Sequence, residues 1–142
     1  MDASKPFRSG FLIINISYYF LRLWSRIENM KTENYEDYQK ESRKTWGEGV
    51  RGIDPLAYQA LGLANESGEF VGKIKKIYRD KGGVITEEEV QALVGELGDV
   101  LWYLTQICTE LGVTLEDVAE ANLEKIFSRQ ARNQLRGEGD NR

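Results

Sequence analysis

Histidine is absent from this 142-residue chain. That excludes histidine general bases, Ser-His and Cys-His dyads, and nearly all zinc sites. It also excludes the Glu-x-x-His ligand set of di-iron helical bundles. Cysteine is almost absent: Cys108 stands alone and cannot form an internal disulfide. It occupies an apolar helical position, which suits a buried structural thiol better than a nucleophile and fits a reducing, cytoplasmic location. Only two prolines interrupt the sequence, which leaves helices few breaks. Basic charge is not in excess. The net charge is −4, so no bulk basic field can hold nucleic acid, and phosphate binding needs local cations or a metal. A long apolar run is missing too. Phe11 to Trp24 is strongly apolar but carries Asn15, Ser17 and Arg22, and is short for a membrane span.

What is present suits one helical domain, with 41% hydrophobic residues to supply a core. Lys5 and Arg8 precede the apolar segment as in a signal peptide, but no small-x-small cleavage site follows. Residues 1–29 read as a non-catalytic extension, with Met30 opening the functional domain, 30–142. A membrane or partner anchor is the alternative reading of that extension. Four helices follow. The first is expected over Tyr35 to Trp46. The second starts at Asp54, a capping residue followed by Pro55, and runs to about Tyr78. Gly82-Gly83 marks a loop. Thr86 with Glu89 forms a capping box that opens the third helix, which stops at Gly112. Thr114 with Asp117 opens the fourth, which fades after Leu135.

The third helix repeats Val90, Leu93, Leu97, Val100, Leu101, Leu104, Ile107 and Leu111 at three- and four-residue steps, an apolar stripe expected to face the core. Gly95, Gly98, Trp102 and Thr105 lie opposite. Glycine inside a helix costs about 1 kcal/mol against alanine. Two such glycines beside a tryptophan read either as a second packing surface where another backbone comes close, a subunit–subunit contact being one form of it, or as a locally tolerated pair.

Two carboxylate pairs stand at the edges of the apolar stripes. Glu66 and Glu69 share one face of the second helix with Gln59, Gly62 and Lys73. Glu96 and Asp99 share a face of the third, continued by Tyr103. If the helices pack antiparallel the pairs can face each other, and four close carboxylates repel unless a cation joins them. Magnesium prefers oxygen ligands and keeps waters that a substrate can replace. Glutamates three apart are often merely solvated, and spacing alone leaves both readings open.

Glu66-Ser-Gly-Glu69, then 26 residues, then Glu96-Leu-Gly-Asp99 resemble the Glu-x-x-Glu … Glu-x-x-Asp signature of MazG-like nucleotide pyrophosphohydrolases. The flanking Leu63 to Glu69, Glu96 to Leu104 and Leu115 to Lys125 resemble that family's second, third and fourth helices. Gly139 to Arg142 resembles a tail seen in many members. The match spans roughly Tyr35 to Arg142, with one copy of the motif. The resemblance implies an all-α, four-helix bundle completed by oligomerisation as a homodimer or dimer of dimers. It implies hydrolysis of a nucleoside triphosphate to monophosphate and pyrophosphate. It implies Mg2+, or Mn2+ in its place, on Glu66, Glu69, Glu96 and Asp99, with one of these, or a metal-bound water held by one, serving as base.

The resemblance also places phosphate contacts at Asn122 and Lys125. Asn122, Lys125, Arg129 and Arg132 step by three, four and three, which makes one polar stripe, although Arg132 fits a solvated face equally well. Lys73 can bind phosphate or pair with Glu69. Trp46 and Tyr103 are candidates for stacking on the base, with core packing the equal alternative. The competing function is a non-catalytic helical module that binds nucleotide or metal in a regulatory role. No nucleic-acid partner is expected, and a membrane-tethered interaction protein is the least favoured reading.

Overall fold

A computed structural model describes residues 34–47, 52–132 and 134. The chain separates into two units, Met1–Lys31 and Thr32–Arg142. Every described residue belongs to the second, so the reading of residues 1–29 and of the apolar segment Phe11 to Trp24 lies outside them. Among the described residues there are four α-helices and no strands: α1 Tyr35–Arg43, α2 Pro55–Lys81, α3 Glu87–Glu110 and α4 Leu115–Ala131. The described part of the chain is all-α, as the sequence implies.

Local chemistry sets each start. The Asn34 side chain accepts from the amide of Asp37, and Asp54 accepts from Ala57 ahead of Pro55. The expected capping box of Thr86 with Glu89 forms, and Thr114 with Asp117, expected as a helix start, forms a second. Each cap satisfies a backbone N–H that the helix leaves unpaired, a contribution of about 1 kcal/mol. The ends are set differently. α1 stops at Arg43 rather than Trp46, in a tight turn where Lys44, Thr45 and Trp46 amides reach back three residues. α2 continues past Tyr78 to Lys81, because Gly82 takes the left-handed conformation (φ 61°) that closes the helix. α4 ends at Ala131, and Leu135 lies outside the described residues.

α2 and α3 form an antiparallel hairpin, the most extensive contact of the unit. α1 packs on α3 and α4, and α4 packs on α3. Gln39 clamps α1 to the α3–α4 turn. Its amide nitrogen donates to Thr109 Oγ1 (3.1 Å) and Val113 O (3.0 Å), and its oxygen accepts from the Leu115 amide (2.9 Å).

The interior is not the expected leucine stripe. Among the described residues only Ile77, Cys108 and Leu115 are buried hydrophobics, whereas Gln59, Thr105 and Gln106 are fully buried. On α3 Leu97 stays exposed, as does Leu111 at its C-cap, and the buried positions are Glu96, Thr105, Gln106 and Cys108. α1 and α2 both pack on the polar side of α3, so its apolar stripe is only partly covered within one chain. Burial pushes the Cys108 thiol above its ordinary value, which suits a structural residue rather than a nucleophile. Among the described residues no helix is long and apolar enough to cross a membrane.

Candidate metal and nucleotide site

The α2–α3 seam is a ladder of cross-helix polar contacts. From one end, Gln59 Nε2 donates to Glu110 Oε1 (3.4 Å), Tyr103 lies on Gly62, Lys73 Nζ pairs with Glu96 Oε1 (2.7 Å), and Lys81 Nζ pairs with Glu89 Oε1 (2.5 Å). Residue numbers rise along α2 as they fall along α3, which is the antiparallel register. Between the Tyr103 and Lys73 rungs lies an acidic cluster. Glu66, Glu96 and Asp99 each bring a carboxylate oxygen within 4.8 Å of the other two.

Glu96 is the buried member, 8% exposed. One of its oxygens is held by Lys73, and the other, Oε2, is buried with no hydrogen-bond partner among the described residues. An acceptor buried without a donor is costly. A cation between Glu66, Glu96 and Asp99 would satisfy it. The donor set is all carboxylate, which suits a hard divalent ion such as magnesium. The residues present therefore fit the metal that the sequence motif implies.

The fourth motif carboxylate is placed apart. Glu69 is exposed, and its Oε1 accepts from Asn65 Nδ2 on its own helix (3.0 Å). Lys73 does not pair with Glu69, one turn away, but crosses to Glu96. A buried carboxylate on the facing helix offers a less solvated partner than an exposed one.

Aromatic side chains wall one flank of the cluster. Burial raises the Tyr103 phenol above its ordinary value, and its hydroxyl neighbour Tyr58 and the carboxylates of Glu66 and Asp99 add to the effect. Tyr38 of α1 is raised mainly by burial and then by nearby Asp99. Tyr103 meets Trp102 edge to face (4.9 Å, 89°), and Trp102 continues to Trp46 (5.9 Å). Trp46 also meets Tyr58 edge to face, and Arg43 stands 5.5 Å over the Trp46 ring. Arg43 is itself anchored to Glu110 (2.7 Å) and Gln106 (3.3 Å). Trp46 and Tyr103, the two stacking candidates, thus stand on one side of the site, in an aromatic wall that already packs on itself.

The second packing surface expected at Trp102 is met within the chain. Trp102 packs on Trp46, and its indole N–H donates to Thr45 Oγ1 (2.8 Å). The end of α1 turns back over α3 and covers this position. Gly95 and Gly98 remain open, with nothing within 4 Å of where a Cβ would stand.

The α4 residues do not join the cluster. Asn122 and Lys125 line a separate cavity of about 590 Å³ with Tyr35, Leu101, Leu104 and Val118. Leu101 and Leu104 lie roughly 100–160° round α3 from Tyr103. The α4 side of α3 is therefore not the carboxylate side. Arg129 is buried, so the stripe Asn122, Lys125, Arg129 and Arg132 is not one open cationic face.

Spacing alone did not single out Tyr38 and Tyr58. Tyr58 had a usable signal, because it stands four residues before Gly62 and eight before Glu66, on one helical stripe. Tyr38 had none, since the approach of α1 to Asp99 is set by tertiary packing.

Residues 57–132 match the family described as the MazG nucleotide pyrophosphohydrolase domain. The Gene 37 protein of Mycobacterium phage L5 is 49% identical over 90 residues, covering 63% of this chain and 79% of that protein. The uncharacterized protein YpjD of Bacillus subtilis (strain 168) is 29% identical over 101 residues, covering 70% of this chain and 89% of that protein. No solved structure matches. With more than half of its length in that match and the acidic cluster lying inside it, the chain belongs to the MazG nucleotide pyrophosphohydrolase domain family.

Proposed function

We propose that this protein hydrolyses nucleoside triphosphates, ribo- or deoxyribo-, to the nucleoside monophosphate and pyrophosphate. Magnesium is the proposed cofactor, on Glu66, Glu96 and Asp99, with manganese able to replace it. The observation that carries the reading is Glu96: buried, held by Lys73 through one oxygen, and left with the other oxygen unpaired in a three-carboxylate cluster. When bound, the ion would neutralise phosphate charge and favour ionisation of the attacking water.

The chain's own residues divide the remaining work. Glu69 stands outside the cluster and faces solvent, which suits the base that takes the proton of the attacking water. Lys73 keeps the Glu96 carboxylate oriented and supplies a positive charge beside the phosphate position. The wall from Tyr103 to Trp46 excludes water on one flank and offers Trp46 to the base of the substrate. Nothing in the sequence resembles a Gly-rich phosphate loop, so water rather than a second substrate is the acceptor.

Asn122 and Lys125 are assigned to the phosphates of a neighbouring copy's site rather than their own chain's. Their cavity lies on another side of α3, and the same helix exposes Leu123, Ile126 and Phe127. Apolar side chains exposed together suit a homodimer or dimer of dimers. A cytoplasmic location, where the substrates and a reduced Cys108 would both be found, completes the reading.

The test is a panel of ribo- and deoxynucleoside triphosphates with magnesium, resolved by ion-exchange chromatography. Monophosphate and pyrophosphate in equal amounts support the reading. Binding of nucleotide without any turnover would favour a regulatory module instead.

A further inference from the structure

The contact between Gly62 and Tyr103 has no room in it. A Cβ built on Gly62 would overlap the Tyr103 ring, 2.6 Å from Cδ1 and nearer still to Cε1 and Cζ. Nothing comparable occurs at the other glycines of α2 and α3: Gly68, Gly72, Gly95 and Gly98 have open space. Gly62 is half-buried inside a long helix, where glycine costs about 1 kcal/mol against alanine. Its φ is not positive, so backbone conformation does not call for it. The absence of a side chain is what the position uses.

The placement of the contact gives it a consequence. Gly62 stands one helical turn before Glu66 on α2, and Tyr103 one turn after Asp99 on α3. In the antiparallel hairpin this is the rung next to the carboxylates. The Lys73–Glu96 ion pair forms the rung on the other side. The acidic cluster is therefore bracketed by a steric contact and an ionic one. Helix axes stand 8–10 Å apart according to the side chains between them, so a ring laid on bare backbone fixes the separation where the ligands meet. The ring is not free to yield. Its hydroxyl lies beside that of Tyr58, one turn before Gly62, and the ring packs edge to face with Trp102, centroids 4.9 Å apart.

We propose that Gly62 and Tyr103 are positioning residues: the ring resting on the α2 backbone sets the distance between Glu66 on one helix and Glu96 and Asp99 on the other, and so sets the affinity of the site for a divalent ion. The proposal rests on the metal reading above. Magnesium demands ligand distances of about 2.0–2.1 Å and tolerates little spread, so a methyl group wedged at this rung moves ligands apart by more than the site can absorb. Tyr103 on this account acts through the carboxylates, and its role is not to stack on the base.

The experiment is a double-mutant cycle on the full chain: wild type, Gly62→Ala, Tyr103→Leu and the pair. Calorimetric titration with Mn2+ reads metal affinity without turnover, and urea unfolding of the same four proteins reads the contact itself. Gly62→Ala should weaken Mn2+ binding by about tenfold or more. Adding Tyr103→Leu, which takes away the obstructing ring, should recover most of that loss. Tyr103→Leu alone, expected to fold because it removes bulk, should bind Mn2+ more weakly than wild type. Wild-type affinity in Gly62→Ala, or losses that simply add in the pair, would overturn the proposal. So would coupling seen only in unfolding and not in metal binding, which would make the contact purely structural. If wild type itself binds no Mn2+, the metal reading falls, and the positioning role falls with it.

Discussion

The two flanks of α3 are built from opposite materials. Towards α2 it presents Glu96, Asp99, Tyr103 and Glu110, and towards α1 Gln106, and these meet Lys73, Gly62 and Gln59 of α2 and Ser42 and Arg43 of α1 through ion pairs, ring contacts and hydrogen bonds. Away from that seam Val94, Leu97 and Leu111 stand exposed, as do Leu123 and Phe127 on α4. Water-exposed leucines beside buried glutamines invert the usual arrangement of a domain. The comparison teaches that burial in this unit serves orientation of polar groups, while apolar area is kept on its outer faces. A polar seam needs every partner in place, so damage there should be local and chemical. An apolar face needs only area, so damage there should show in assembly.

The largest effect should come from the seam. Glu96→Gln or Asp99→Asn should lower turnover by more than about a hundredfold, since even residues that only support a metal ligand cost 10–100-fold. The helical fold should persist by circular dichroism, and chelator should abolish wild-type activity to the same extent. Activity retained in either variant would break the distinction between the flanks, because the seam would then be mere packing.

Next is the outer face. Leu123→Asp with Phe127→Asp should weaken self-association by about tenfold or more in sedimentation, with the hairpin still folded. Turnover should fall in step with association if Asn122 and Lys125 serve a neighbouring copy's site, as proposed. An unchanged association state would show that these side chains are simply solvated.

A smaller effect sharpens the account of the seam. Lys73→Met leaves Glu96 buried without its cation. The loss of stability should be about 1–2 kcal/mol, less than for a fully buried pair because Lys73 is partly exposed. Magnesium should restore more stability to this variant than to wild type, which differential scanning calorimetry would read.

The smallest expected effect lies at the helix starts. Glu89 is held below its ordinary 4.5, first by the hydrogen bond from Lys81 and then by the Thr86 amide. Asp117 is held below its ordinary 3.8 by the Thr114 hydroxyl and amide. Their folded values are depressed, so their contribution is full above the ordinary values and is lost as pH falls through the lowered ones. Acid titration followed by circular dichroism should show the loss, and Glu89→Gln should flatten the curve in that window.

Much of this was legible in the sequence, and for a physical reason. Asp54-Pro55, Thr86 with Glu89, and Thr114 with Asp117 act within four residues, so their caps depend on little else. The three-residue spacing of Glu66 with Glu69 and of Glu96 with Asp99 placed both pairs beside the seam. What spacing could not decide was which partner each side chain takes. Lys73 chooses Glu96 across the hairpin over Glu69 along its own helix. Glu69 turns to Asn65 and leaves a cluster of three. Trp102 is covered by the end of α1. The leucine repeat of α3 told which residues are apolar, but not that the neighbouring helices pack on the other flank.

The most direct test of the central claim, that the polar seam hydrolyses a triphosphate next to the nucleoside, is turnover in 18O-labelled water. Wild type with magnesium and its preferred nucleoside triphosphate should place the label in the nucleoside monophosphate, with unlabelled pyrophosphate released and Glu96→Gln inactive. Labelled orthophosphate with nucleoside diphosphate, or equal turnover in Glu96→Gln, would contradict it.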